Sequence, residues 1–106
     1  MTKKVRLTAK TQSIHRDNLA VEQQQRCYLC NRDLNTIPKQ QWHLDHDHDT
    51  GHCRHLLCAV CNGQEGKILG RVMIAVKNSG MDITAPDFLH KLANYWAEDY
   101  SASPIH

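Results

Sequence analysis

Aromatic residues are scarce in this chain: one Phe, two Trp and three Tyr in 106 residues, with hydrophobic residues at 41%. Such a sequence builds only a thin core, and a small domain with a thin core usually needs a covalent or metal staple. Long apolar runs are also missing. No stretch of 18 apolar residues is present, which excludes a membrane-spanning helix. The opening Met1-Thr-Lys-Lys is not followed by an apolar segment, so a secretory signal is not expected. A disulfide framework is disfavoured by the cysteines, which are five in number and arranged mainly as two Cys-x-x-Cys pairs. That arrangement fits a metal site in a reducing compartment. The length favours a single domain over 1–106.

Excess charge is small, +2, but unevenly spread. Residues 1–26 carry six Lys or Arg against Asp17 and Glu22, whereas residues 78–106 carry Lys91 against Asp82, Asp87, Glu98 and Asp99. Residues 1–12 read as a flexible basic arm, suited equally to phosphate contacts and to simple solvation.

A helix capped by Ser13 is expected to run to about Gln25, then a turn at Asn31–Asp33 and a loop over 34–41 around Pro38. Trp42–Asp45 and Cys53–Leu57 read as the strands of a hairpin turning at Thr50-Gly51, with a helix starting near Cys58. Ile68, Leu69, Val72, Met73 and Val76 recur at helical spacing, while Gly63, Gly66 and Gly70 predict a bend. A last helix is predicted from Thr84 as N-cap, with Pro86 in its first turn and Phe88, Leu89, Leu92, Tyr95 and Trp96 on its apolar face. The fold class is therefore α+β and mainly helical.

The two pairs, Cys27/Cys30 and Cys58/Cys61, have the spacing of knuckles that place four sulfurs around one structural zinc. The 27 residues between them exceed a common zinc-ribbon gap and leave room for the hairpin. Cys53 is the spare, read as a small buried residue, with Cys53 or a neighbouring His as a rival zinc ligand. Between the pairs runs His43-Leu-Asp-His-Asp-His48. Thiolates suit a soft metal and carboxylates a hard one, so one chain holds ligands for two metals. Asp45 is the candidate ligand for Mg²⁺ or Mn²⁺, His46 the candidate base for an activated water, and Asn62 a second ligand through its amide oxygen. His43 and His48 are candidates for supporting or substrate contacts, and Glu65 lies one helical turn beyond Asn62. A polar, solvent-facing loop would use the same residue types with no chemistry. The combination points to a metal-dependent nuclease. The alternative is a non-catalytic zinc module that binds nucleic acid or protein, and a third option is a single catalytic zinc at the His/Asp segment.

The Cys-x-x-Cys pair, His43 to His48, Thr50-Gly51, Arg54, Leu56-Leu-Cys-x-x-Cys-Asn62 and Glu65-Gly66 together resemble the phage recombination endonuclease VII family. That family lies within the HNH, or ββα-metal (His-Me finger), nucleases. The resemblance runs from about Arg26 to Gly66 and extends weakly to Tyr95, Asp99-Tyr100 and Ile105-His106. It implies a ββα-metal core with a Cys₄ zinc and flanking helices, acting as a DNA endonuclease in a phage-infected cytoplasm. Cys27, Cys30, Cys58 and Cys61 would bind zinc, Asp45 and Asn62 the catalytic Mg²⁺ or Mn²⁺, and His46 would be the base, assisted by His43, His48 and Glu65. Arg54 and the basic arm would contact DNA phosphates, and a homodimer through helices 68–77 and 86–97 is compatible with it. The sequence departs from the family at Cys53, where an aliphatic residue is usual, and at His55, where Gly is usual. The junction-resolving member continues into a further C-terminal domain, so phosphodiester cleavage is expected ahead of Holliday-junction specificity.

Overall fold

Helix α1 is set by a reciprocal cap: Thr8 Oγ1 accepts from the Thr11 N–H, and Thr11 Oγ1 accepts from the Thr8 N–H. This satisfies two of the donors that a helix start leaves unpaired. In this computed structural model, which describes residues 6–106, α1 spans Ala9–Glu22, so it starts four residues before the expected Ser13. Of the predicted arm, residues 1–5 lie outside the described residues and Ala9 to Gln12 form the first turn of α1. The helix stops at Glu22, short of Gln25, because the chain turns with positive φ at Gln24 (55°) and Gln25 (60°).

Gln23 explains that turn. Its side-chain amide accepts from the Leu56 N–H at 2.9 Å and donates to the Leu56 carbonyl at 2.9 Å and the Arg26 carbonyl at 2.8 Å. One side chain thus occupies the open edge of a strand as a neighbouring strand would. Substituting Gln23→Ala is expected to lower stability by about 1–3 kcal/mol, the usual cost of stranding partly buried backbone groups. Chemical denaturation would measure it.

The expected loop over 34–41 is tightened by two short 3₁₀ turns, Leu34–Thr36 and Lys39–Gln41, and it buries Leu34 completely. The Leu34 carbonyl accepts from Trp42 Nε1 at 2.8 Å, which gives the buried indole its partner.

Strands β1 (Trp42–His46) and β2 (Cys53–Cys58) pair antiparallel, as the hairpin reading predicted. Their register is Trp42↔Cys58, His43↔Leu57 and Leu44↔Leu56, then His46↔Cys53. Two residues of β2, Arg54 and His55, therefore stand opposite Asp45 alone. This is a β-bulge, a device that re-aims side chains.

Helix α2 (Ala59–Ser79) follows β2 directly and runs unbroken through Gly63, Gly66 and Gly70, against the predicted bend. A Cβ at any of these glycines would meet nothing within 4 Å, so no packing constraint forces a break there. Each costs about 1 kcal/mol of helix propensity relative to Ala, and the helix absorbs it. Helix α3 (Ala85–Ala97) has Thr84 as N-cap, its hydroxyl accepting from the Asp87 N–H, as expected.

The chain divides into two compact units, one ending at Gln64 and the other spanning Glu65–His106. In the first, Leu19, Ala20, Cys27, Leu34, Trp42, Leu56, Leu57 and Cys58 form the core, with Ile37, Leu44 and Cys61 against it. Two of the zinc-type cysteines are thus core residues. In the second, Phe88, Leu89 and Leu92 of α3 are half-buried, while Tyr95 and Trp96 are exposed.

Candidate metal centre and active site

The four paired cysteines converge. The sulfurs of Cys27, Cys30, Cys58 and Cys61 lie within 4.8 Å of one another, and Cys30 Sγ is 3.9 Å from Cys58 Sγ. Zinc–sulfur bonds of about 2.3 Å in a tetrahedron separate sulfurs by about 3.8 Å, so the donor set fits a structural zinc. The knuckle backbone is shaped for this. Asn31 takes a positive φ of 63° and donates its N–H to the Cys27 carbonyl at 3.0 Å, and the Cys58 N–H points at Cys27 Sγ at 3.4 Å. Cys53 belongs to no such cluster among the described residues. It is exposed rather than buried as expected, because it opens β2 beside the bulge, opposite the exposed His46.

Electrostatics set Cys27 and Cys61 apart. Burial opposes ionisation of Cys27, but N–H groups of Cys30, Cys58 and Leu29 outweigh it and bring its pKa down to about 6. Burial pushes Cys61 up to about 12, helped by its thiol neighbours, which share protons with it. At neutral pH the metal-free cluster therefore keeps the Cys61 proton, and metal must displace it. Zinc affinity is expected to rise with pH between 6 and 8, by about one decade per pH unit for each displaced proton. Competition against a chromophoric chelator would measure this, and a flat profile would contradict it.

The His/Asp segment is sorted by the hairpin. Asp45 is 8% exposed, and its Oδ2 accepts from Arg54 Nε at 2.6 Å across the bulge. A buried carboxylate needs such a partner. His43 is half-buried on β1, and its Nδ1 lies 3.0 Å from Asn62 Nδ2 on α2. An amide nitrogen can only donate, so in this bond His43 Nδ1 accepts and Asn62 Oδ1 is left unused by it. β1 and the first turn of α2 are thereby joined by the residues the sequence singled out. His46 is exposed at the end of β1, its ring edge-on to His48 with centroids 5.0 Å apart. Glu65 is half-buried on α2, three residues beyond Asn62.

Asp47, within the same polar segment, has a definite structural place. Its Oδ1 accepts from the Asp49 N–H at 2.8 Å and the Thr50 N–H at 3.1 Å, closing the hairpin loop. Those bonds, from Thr50 first and Asp49 second, hold its carboxyl below the usual range. An Asp followed by x-x-Thr-Gly is the sequence signal for such a turn. His55, the departure at the usual Gly, stacks on Tyr28 with ring centroids 3.7 Å apart and planes 3° from parallel. Nothing in the sequence alone pairs those two rings. No helix among the described residues is long and apolar enough to cross a membrane.

A hairpin leading straight into a helix, a four-sulfur cluster at their junction and a polar segment between the sulfur pairs make up a ββα-metal arrangement. The family model for recombination endonuclease VII matches residues 2–98, so the chain belongs to that family of nucleases.

Proposed function

We propose that this nuclease is a metal-dependent DNA endonuclease that hydrolyses phosphodiester bonds, with Asp45, His46 and Asn62 at its centre. The observation that carries the reading is the His43–Asn62 bond, which ties the strand bearing Asp45 and His46 to the helix that carries Cys61. The donor set suits a hard cation, because a buried carboxylate and an amide oxygen are oxygen ligands and Mg²⁺ keeps several waters of its own.

Asp45 and Asn62 would hold Mg²⁺ or Mn²⁺. When bound, that ion supplies positive charge to the scissile phosphate and the departing 3′ oxygen. His46 accepts a proton from water as the water oxygen bonds to phosphorus. The bond from phosphorus to the 3′ oxygen breaks, and that oxygen then takes up a proton. Histidine suits this work near neutral pH, and the exposure of His46 lets it reach a water beside a phosphate. His43 keeps the Asn62 amide oriented, and His48 and Glu65 would assist. Zinc at the four cysteines would take no part in the chemistry, since a four-sulfur site has no open position. The basic N-terminal arm would hold the DNA backbone without reading sequence.

Supercoiled plasmid, linear duplex, mismatched duplex and a four-way junction, each with Mg²⁺, Mn²⁺ or chelator, provide the test. Metal-dependent cleavage of at least one supports the proposal and identifies the substrate class. Failure on all of them would instead favour a zinc module that binds without cutting.

A further inference from the structure

Arg54 lies between the buried Asp45 carboxylate and solvent. Its side chain is 39% exposed, yet its Nε–H reaches a carboxylate that is almost fully buried. The bulge puts it there, since Arg54 and His55 together oppose Asp45. Asp47, on the adjoining loop, also feels the Arg54 charge, though its carboxylate is already taken up by the Thr50 and Asp49 N–H groups.

The Asp45 carboxylate carries one negative charge and the Arg54 guanidinium one positive, so the pair is neutral and offers a divalent cation little net attraction. A guanidinium is also the side chain best shaped to take two phosphate oxygens. A DNA phosphate drawn to Arg54 adds a negative charge beside Asp45 and makes the same site attractive to the cation.

We propose that Arg54 is a positioning residue that couples metal binding to DNA binding, through its ion pair with Asp45. It holds the carboxylate in place in the free protein, weakens cation binding there, and releases that penalty when a DNA phosphate shares its charge. By linkage, the metal strengthens DNA binding by the same factor. This rests on the reading of Asp45 as a metal ligand.

The test reads Mn²⁺ binding directly, by the EPR signal of the free ion, on the zinc-loaded 106-residue chain at pH 8. Each variant is measured alone and with a four-way DNA junction, in a His46→Ala background so that the DNA stays intact. In that background, Arg54→Gln should bind Mn²⁺ about tenfold tighter than the parent without DNA, within the usual range for coupled sites. DNA should tighten Mn²⁺ binding about tenfold with Arg54 present and at most about twofold in Arg54→Gln. Arg54→Lys keeps the charge and should stay as weak as the parent without DNA. Zinc content and circular dichroism confirm that each variant is folded. Equal or weaker Mn²⁺ binding by Arg54→Gln, or a DNA effect that survives it, would overturn the coupling. Tightening by Arg54→Lys equal to that of Arg54→Gln would do the same. Asp45→Asn separates the two layers. If it binds Mn²⁺ as well as the parent, the metal-ligand reading itself fails. If it loses Mn²⁺ while Arg54→Gln behaves as the parent, only the coupling fails.

Discussion

Replacing Cys58 by Ser, or stripping the metal with a strong chelator, is expected to unfold the unit that ends at Gln64. Cys27 and Cys58 are 2% and 0% exposed, and both belong to the apolar core. A structural zinc in a small finger contributes about 10–16 kcal/mol at neutral pH, comparable with the whole stability of a typical domain. The remaining core of this unit is a handful of Leu, one Trp and one Ala, so it has little else to hold β1, β2 and α1 together. Tryptophan fluorescence would follow the loss. Trp42 is buried and its emission should shift to the red, while Trp96, 71% exposed, supplies a steady background. Cys53→Ser is the control. That thiol is exposed and outside the sulfur cluster, so its loss should change stability by no more than about 0.5 kcal/mol and leave the zinc content intact. A Cys58→Ser protein that melts cooperatively near the parent temperature would contradict the structural role of the metal.

His46→Ala is expected to lower the cleavage rate by about 10²–10⁴-fold, the usual contribution of a well-placed general base. The side chain is exposed and outside the core, so melting temperature and zinc content should not move. Single-turnover cleavage at saturating Mg²⁺ isolates the chemical step from DNA binding. Cleavage unchanged by the substitution would remove His46 from the base role and direct attention to His48, whose ring lies next to it.

Much of this arrangement was legible in the residues because the signals were local. Cys-x-x-Cys spacing, a Thr-Gly turn between apolar strands and a Thr cap before Pro86 each act within a few residues, and the observed β1, β2 and α3 follow them closely. Helix α1 starts ahead of the expected Ser13 because a Thr-x-x-Thr cap competes with it through the reciprocal bonds of Thr8 and Thr11. It ends ahead of Gln25 because Gln23 serves β2, thirty-three residues away in sequence. The bend expected at three glycines does not form, since propensity is a weak force where backbone bonding is continuous.

In the candidate site, the Asn62–His43 bond joins two residues that pattern alone had selected. The Arg54–Asp45 pair was not foreseen. It depends on a one-residue bulge, and strand alternation without that bulge would give a different partner. Cys53 was expected inside and lies outside for a related reason, since the bulge shifts the register at the strand's start.

The proposed function divides labour between two metals, a soft one that would hold the fold and a hard one that would support cleavage. Protein prepared with one equivalent of zinc and freed of other metals, titrated with Mg²⁺ on a DNA substrate, tests it most directly. No cleavage is expected with zinc alone, and cleavage should rise and saturate as Mg²⁺ is added, with zinc content constant throughout. Full cleavage by the zinc-loaded protein before any Mg²⁺ is added would contradict it.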